Sequence, residues 1–211
     1  MSVIIKEPYN CTFIHIPKCA GNTISVWMRK NFNAVTTKRK QHANLAETLK
    51  GNHSLGPLQK ENLGLLFTVV RNPWDYAVSW YTFKIRLCKQ YIKNIEENPA
   101  IENRRKEKFN LQAQKNQLTR LENLGFKEWV RQTKRDAQHW WAKDCDYIMR
   151  LENLNEDFLF IQQKLECYQP LGHLNPTGLR SKYKDYYTDQ ETIDIIAKKY
   201  KIDIETYGYD F

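Results

Sequence analysis

Two short stretches carry residue types that bind phosphate. The first is Ile16-Pro17-Lys18-Cys19-Ala20-Gly21-Asn22-Thr23, which follows an apolar run and precedes a helical pattern. A loop in that position aims backbone N–H groups and the positive end of a helix dipole at one point. Gly21 admits close approach of an anion, Thr23 adds a hydroxyl donor, and Lys18 adds a point charge. This is not a GxxxxGK[ST] loop, because the lysine precedes the single glycine. Alone, the stretch suits an anion site and an ordinary turn equally. The second is Val70-Arg71-Asn72-Pro73-Trp74-Asp75-Tyr76, continuing to Ser79-Trp80-Tyr81. Arg71 would stand at the carboxyl end of a buried strand, where open α/β sheets bind ligands. Ser79 follows eight residues later, two turns into a helix, and an arginine with a hydroxyl partner can hold a phosphate. The other use of these residues is an Arg71–Asp75 ion pair, with Ser79 as a small packing residue.

Three β-branched and aromatic runs must position these groups: Thr12 to Ile16, Leu65 to Val70, and Asp146 to Met149. The first two are nearly continuous in apolar character, as in strands buried on both faces of a parallel sheet. Each leads through a turn into a helical pattern. One runs from Asn22 to Lys30, a second from Trp74 to about Leu87 with Pro73 in its first turn, and a third from a cap at Asn153 to about Glu166. Strand, loop and helix in repetition predict an α/β domain with a central, mainly parallel sheet flanked by helices. The 211 residues, 41% of them hydrophobic, suffice for one such domain over residues 1–211 and exclude a disordered chain.

Residues 83–143 differ from the rest. They carry fifteen basic residues against seven acidic ones, a surplus of eight in a chain whose net charge is +9. With almost no strand signal, they predict two or three inserted helices, with a link near Asn98 to Arg105. A charged stretch of this kind is usually a solvated face, but the asymmetry also suits an anionic partner. No run reaches the ~18 apolar residues of a membrane helix, and the N-terminus has no secretory pattern. The five cysteines, Cys11, Cys19, Cys88, Cys145 and Cys167, form no CxxC pair. They predict reduced thiols, a cytoplasmic location and no structural zinc.

Taken together, the two phosphate motifs resemble those of the sulfotransferase superfamily, with the closer likeness to its carbohydrate sulfotransferase branch. That family's 5′-phosphosulfate loop reads roughly PK[TCS]xG[TN][ST] and its 3′-phosphate motif RxPxxxxxS. Gln41 to Leu49 is similar to its HxTxxEL segment, and Met149 to Phe158 to its FExLxxDF segment. The residues from His173 onward resemble its C-terminal tail. The likeness covers about three quarters of the chain, leaving out the basic insertion. It implies a P-loop-like three-layer fold and 3′-phosphoadenosine 5′-phosphosulfate as donor. Lys18, Ala20, Gly21, Asn22 and Thr23 would cradle its 5′ side, and Arg71 and Ser79 its 3′-phosphate. The segment with Thr177, Arg180 and Lys182 is similar to one that closes over the nucleotide.

Sulfuryl transfer is an in-line displacement, so catalysis rests on positioning and on stabilising charge at the leaving phosphate. Lys18 is chemically suited to that stabilisation, and no metal is required. A base must take the acceptor's proton, and the family uses a histidine or carboxylate between the two motifs. His42 is the first candidate, since neutral imidazole suits work near pH 7; Glu47 and His53 are the alternatives. His15, alternating with apolar neighbours, has a structural pattern. His139 beside Trp140-Trp141 fits an aromatic cluster better than an acceptor cleft, and His173 receives no role. The expected acceptor is a hydroxyl or amine of a glycan, an anionic one fitting the basic surface, or of another small molecule or peptide tyrosine, with residues 83–143 on the acceptor side. Two other readings stand beside this one. A P-loop kinase or NTPase would need the absent GK[ST]. A nucleic-acid module using basic charge interleaved with Tyr91, Phe109, Trp140 and Trp141 would leave both phosphate motifs unexplained.

Overall fold

A computed structural model describes residues 2–6, 8–36, 43–50, 56–99, 110–172 and 180–211. The chain forms two compact units, one of residues 1–72, 136–178 and 200–211, the other of residues 73–135 and 179–199.

The first unit is built on a five-stranded sheet of β1 (Val3–Ile5), β2 (Cys11–Ile14), β3 (Val35–Thr36), β4 (Leu65–Val70) and β5 (Tyr147–Arg150), in the order β3-β1-β2-β4-β5. β2, β4 and β5 are mutually parallel, and β1 runs antiparallel to both β2 and β3. Four strands therefore share one direction, and the sheet is mainly parallel as expected. Period-two alternation divides its side chains between two faces. On one face Ile4 and Leu66 cluster with Leu45 of α2 (Leu45–Leu49) and with Leu63. On the other, the Phe13 and Phe67 rings meet at 5.2 Å, and Tyr147 packs on Phe160 of α6 (Leu154–Lys164) at 4.4 Å. Trp27 of α1 (Gly21–Asn31) closes edge-on against Phe158 of α6 at 4.9 Å. Helices thus cover both faces. The buried strand hydroxyls are satisfied: Thr12 donates to the Leu63 carbonyl and Thr68 to that of Ile14.

Sequence and structure differ in a few places. The first and last of the three expected strands are displaced slightly from their expected limits, to Cys11–Ile14 and Tyr147–Arg150. Asn153 does take the residue before α6, but its side chain makes no capping bond; a 3-10 turn over Leu151–Asn153 leads into the helix instead.

The second unit is helical. α3 (Pro73–Glu97) begins at Pro73 and continues about ten residues past the expected end. Its second half is matched to α4 (Leu111–Gln132), with Lys89 on Glu122 at 3.0 Å and Lys115 on Glu96 at 2.8 Å. These partners lie far apart in sequence, so no local pattern foretold the extension. Two of the fifteen basic residues of 83–143 are matched in this way by acids of the same helices. Tyr81, Phe126, Trp129 and Tyr186 form an aromatic core with ring centroids 5.5 Å apart in several pairs. The α4 carboxyl end is held by Lys199, at the end of α7 (Gln190–Lys199), which donates to the Val130 carbonyl and to those of Arg131 and Thr133 at 3.1 and 2.8 Å. The expected link near Asn98 to Arg105 lies mostly outside the described residues. Among the described residues, no helix is long and apolar enough to cross a membrane.

Candidate functional site

The loop after β2 is shaped by two left-handed residues that are not glycine, Lys18 (φ 65°) and Ala20 (φ 53°). Each such conformation costs roughly 1–3 kcal/mol and persists only where the surroundings enforce it. The Cys19 N–H donates back to the Ile16 carbonyl at 3.4 Å, and α1 then starts at Gly21, with the Ile24 N–H on the Ala20 carbonyl at 3.2 Å. The first-turn amides of Gly21, Asn22 and Thr23 have no intrahelical acceptor. α1 has no acid in its first turn and carries Arg29 and Lys30 in its last. Its amino end is consequently a positive terminus with no carboxylate in its own first turn. Lys18 and Thr23 are half-buried there, and Asn22 is exposed.

Gly21 answers a packing demand. A Cβ on it would overlap Cδ2 and Nε2 of the His15 ring and stand 2.5 Å from Cε1. His15 is buried and stacked on Phe13 at 5.9 Å and 22°. The structural role expected for His15 is therefore specific: its imidazole supports the first residue of α1.

β4 delivers the second motif beside the first. The parallel register pairs Ile14 with Thr68, so Lys18 and Arg71 leave adjacent strands at the same end of the sheet. Arg71 is 5% exposed, and its Nη1 donates to the Lys18 carbonyl at 3.1 Å. Arg71 is held by its own backbone as well: its N–H donates to Gln138 Oε1 at 2.8 Å, and its carbonyl accepts from Gln138 Nε2 at 2.7 Å. The next residue is pinned by the carboxyl-terminal segment. The Asn72 N–H donates to Glu152 Oε1 at 2.8 Å, the Asn72 side chain to the Asp210 carbonyl at 2.7 Å, and the Tyr209 hydroxyl to Glu152 Oε2 at 3.2 Å. Burial, with the Glu152 charge adding to it, pushes the Tyr209 phenol well up, so it stays a donor.

Burial also keeps the nearby thiol protonated. It raises Cys19 strongly, with the Arg71 charge opposing, and raises Cys11 and Cys145 to about 12. All five cysteines are free.

The other candidate residues are distributed as follows. Ser79 is buried on α3, in the helical unit. Arg180 and Lys182 belong to a 3-10 helix, Arg180–Tyr186. His42, His53, His173 and Thr177 lie outside the described residues. Glu47 has a local function on α2: it completes a capping box, accepting from the Asn44 N–H at 3.4 Å while its own N–H donates to Asn44 Oδ1 at 2.9 Å. On α5 (His139–Ala142), His139 packs with Tyr207 of α8 (Lys201–Tyr207), the aromatic use expected for it. Its neighbour Trp140 is 60% exposed, with the Lys143 ammonium 5.6 Å from its ring centre.

Sequence reasoning missed Gln138 and Asp203. Neither belongs to a motif, and both lie in polar stretches that read as helix surface. Among the described residues, no group of three or more His, Cys, Asp or Glu side chains is arranged to hold a metal ion.

A family model described as "Sulfotransferase family" matches residues 1–210. No curated protein and no solved structure matches the chain.

Proposed function

Because this chain belongs to the sulfotransferase family and is a sulfotransferase, we propose that its donor is 3′-phosphoadenosine 5′-phosphosulfate and its acceptor a hydroxyl or amine of a glycan or other small metabolite. The observation that carries the donor reading is the hydrogen bond from Arg71 Nη1 to the Lys18 carbonyl. It unites a cationic side chain with the positive terminus of α1 on adjacent parallel strands, and a nucleotide with two separate phosphate positions needs both. The residues suit such a group. No first-turn acid repels an anion, and Lys18 and Arg71 supply charge.

When bound, the nucleotide supplies an activated sulfuryl group. The amides of Ala20, Gly21, Asn22 and Thr23 and the Thr23 hydroxyl bind the 5′ side. Lys18 stabilises the charge that gathers on the leaving phosphate, the main electrostatic demand of this reaction. Arg71 binds the 3′-phosphate, with Ser79 assigned beside it by the motif spacing. Thr177, Arg180 and Lys182 are assigned to nucleotide closure by likeness of sequence. His42 takes the acceptor's proton; the capping duty of Glu47 favours His42 over it.

Residues 83–143 are the proposed acceptor side. Exposed Trp140 with Lys143 beside its face offers a surface suited to a sugar ring carrying negative charge. The five free thiols support a reducing, cytosol-like location.

Calorimetric titration with 3′-phosphoadenosine 5′-phosphate, ADP and AMP at one ionic strength tests the donor. Clear preference for the 3′-phosphorylated ligand is expected. Magnesium-dependent preference for ADP would overturn the reading in favour of a kinase.

A further inference from the structure

Gln138, the residue before α5, is fully buried, and the proposed chemistry does not use it. Its side-chain amide lies along the end of β4, with Oε1 accepting the Arg71 N–H and Nε2 donating to the Arg71 carbonyl. Such an exchange of two bonds is what a neighbouring strand gives one residue, here supplied by a side chain. Oε1 also accepts the Cys19 thiol at 3.2 Å. Cys19 sits between the two left-handed residues of the loop, so the same amide touches both phosphate motifs. Gln138 is itself held in place. Its N–H donates to Asp203 Oδ2 at 2.9 Å, and the His139 N–H donates to Asp203 Oδ1 at 2.8 Å. Asp203 is fully buried. The connection therefore runs from Asp203 on α8 through Gln138 to Arg71 and Cys19, and Arg71 completes it at the Lys18 carbonyl.

We propose that Gln138, oriented by Asp203, is a positioning residue that fixes Arg71 relative to the Lys18 loop and thereby sets the separation between the two phosphate contacts. This rests on the donor reading above. A ligand with two anionic groups gains from both contacts at once only if their spacing is held before it arrives. A satisfied buried network holds such a spacing rigidly. A nucleotide with one phosphate does not sense it.

The test measures dissociation constants of 3′-phosphoadenosine 5′-phosphate and AMP by calorimetry. The proteins are the unmodified chain, Gln138→Met, Gln138→Glu, Arg71→Ala and the Gln138→Met/Arg71→Ala pair, each checked for a cooperative thermal transition. Methionine matches the length and removes all three side-chain bonds. Glutamate keeps an acceptor for Arg71 and Cys19 but, when ionised, loses the donation and turns a carboxylate oxygen toward the Arg71 carbonyl, so it breaks the same link with little change of shape and carries the comparison if the methionine variant does not fold. Gln138→Met should weaken the bisphosphate roughly tenfold and leave AMP unchanged, the worth of about two net hydrogen bonds. That loss should vanish once Arg71 is alanine, and Gln138→Glu should show a loss of the same pattern. Equal loss for both ligands, or a loss that persists without Arg71, would mean that Gln138 only supports the fold and would overturn the proposal. So would an unchanged ratio of bisphosphate to AMP dissociation constants in the Gln138 variants while Arg71→Ala raises it. If Arg71→Ala itself leaves the ratio unchanged, the donor reading of Arg71 fails, and the positioning role falls with it.

Discussion

Replacing Gly21 with alanine tests the packing that shapes the loop. The new Cβ would overlap two atoms of the His15 ring and lie 2.5 Å from a third. Ordinary carbon contacts are about 3.5–4.0 Å, so even Cε1 of the ring must retreat by at least ~1 Å from the new methyl. It is buried and stacked on Phe13, which leaves it little room. Overpacking of this kind costs about 1–3 kcal/mol. Against it stands the gain from replacing glycine in a helix, up to about 1 kcal/mol and less at its first residue. A net loss of about 2 kcal/mol is expected, a fall in Tm of roughly 4–8 °C for a chain of this size. The assay is thermal unfolding of Gly21→Ala in two backgrounds, the natural chain and His15→Ala. Without the ring, the alanine should be neutral or slightly stabilising. An equal loss in both backgrounds would refute the reasoning, because the clash would then not be with His15.

Lys18→Ala should reduce turnover by at least about a hundredfold while weakening 3′-phosphoadenosine 5′-phosphate only severalfold, since its charge matters most as the leaving phosphate forms; single-turnover kinetics beside calorimetry separate the two, and equal losses would confine Lys18 to binding. Stability should decline in alkali. Burial raises Cys11 from 9.0 to about 12, so the unfolded chain releases this proton first and stabilisation is lost as pH rises from about 9 to 12. Urea titrations at successive pH values should show Cys11→Ala reducing that slope by up to ~1.4 kcal/mol per pH unit; an unchanged slope would assign the decline to other groups. Trp140→Ala should raise KM for a glycan acceptor about five- to tenfold with donor affinity unchanged, on the scale of one stacked aromatic contact. Unchanged KM across active acceptors would remove Trp140 from the acceptor side.

The most legible features were those with local causes. Leu65–Val70 is a strand because six consecutive apolar or β-branched residues can only be buried on both faces, and its limits are those expected. The turn before α1 and the start of α3 at Pro73 follow equally from residue type. β1 and β3 were not read from the sequence. Three residues at Val3–Ile5 and two at Val35–Thr36 are too short for a period to emerge, and they become strands by pairing with each other and with β2. The length of α3 was also hidden, because its second half is matched by residues of α4 distant in sequence.

The same division holds at the site. Lys18, Gly21, Thr23 and Arg71 were chosen from the sequence because their chemistry and their position after apolar runs are properties of the chain itself. That His15 makes Gly21 obligatory, that Arg71 reaches the Lys18 carbonyl, and that Gln138 holds Arg71 were decided by the tertiary structure. Gln138 is 67 residues from Arg71 and 119 from Cys19, so no local spacing encodes either bond. Local propensity and burial pattern write elements into a sequence. The hydrogen bonds that orient a site depend on which distant elements the fold brings within about 3 Å, and only the folded chain makes that choice.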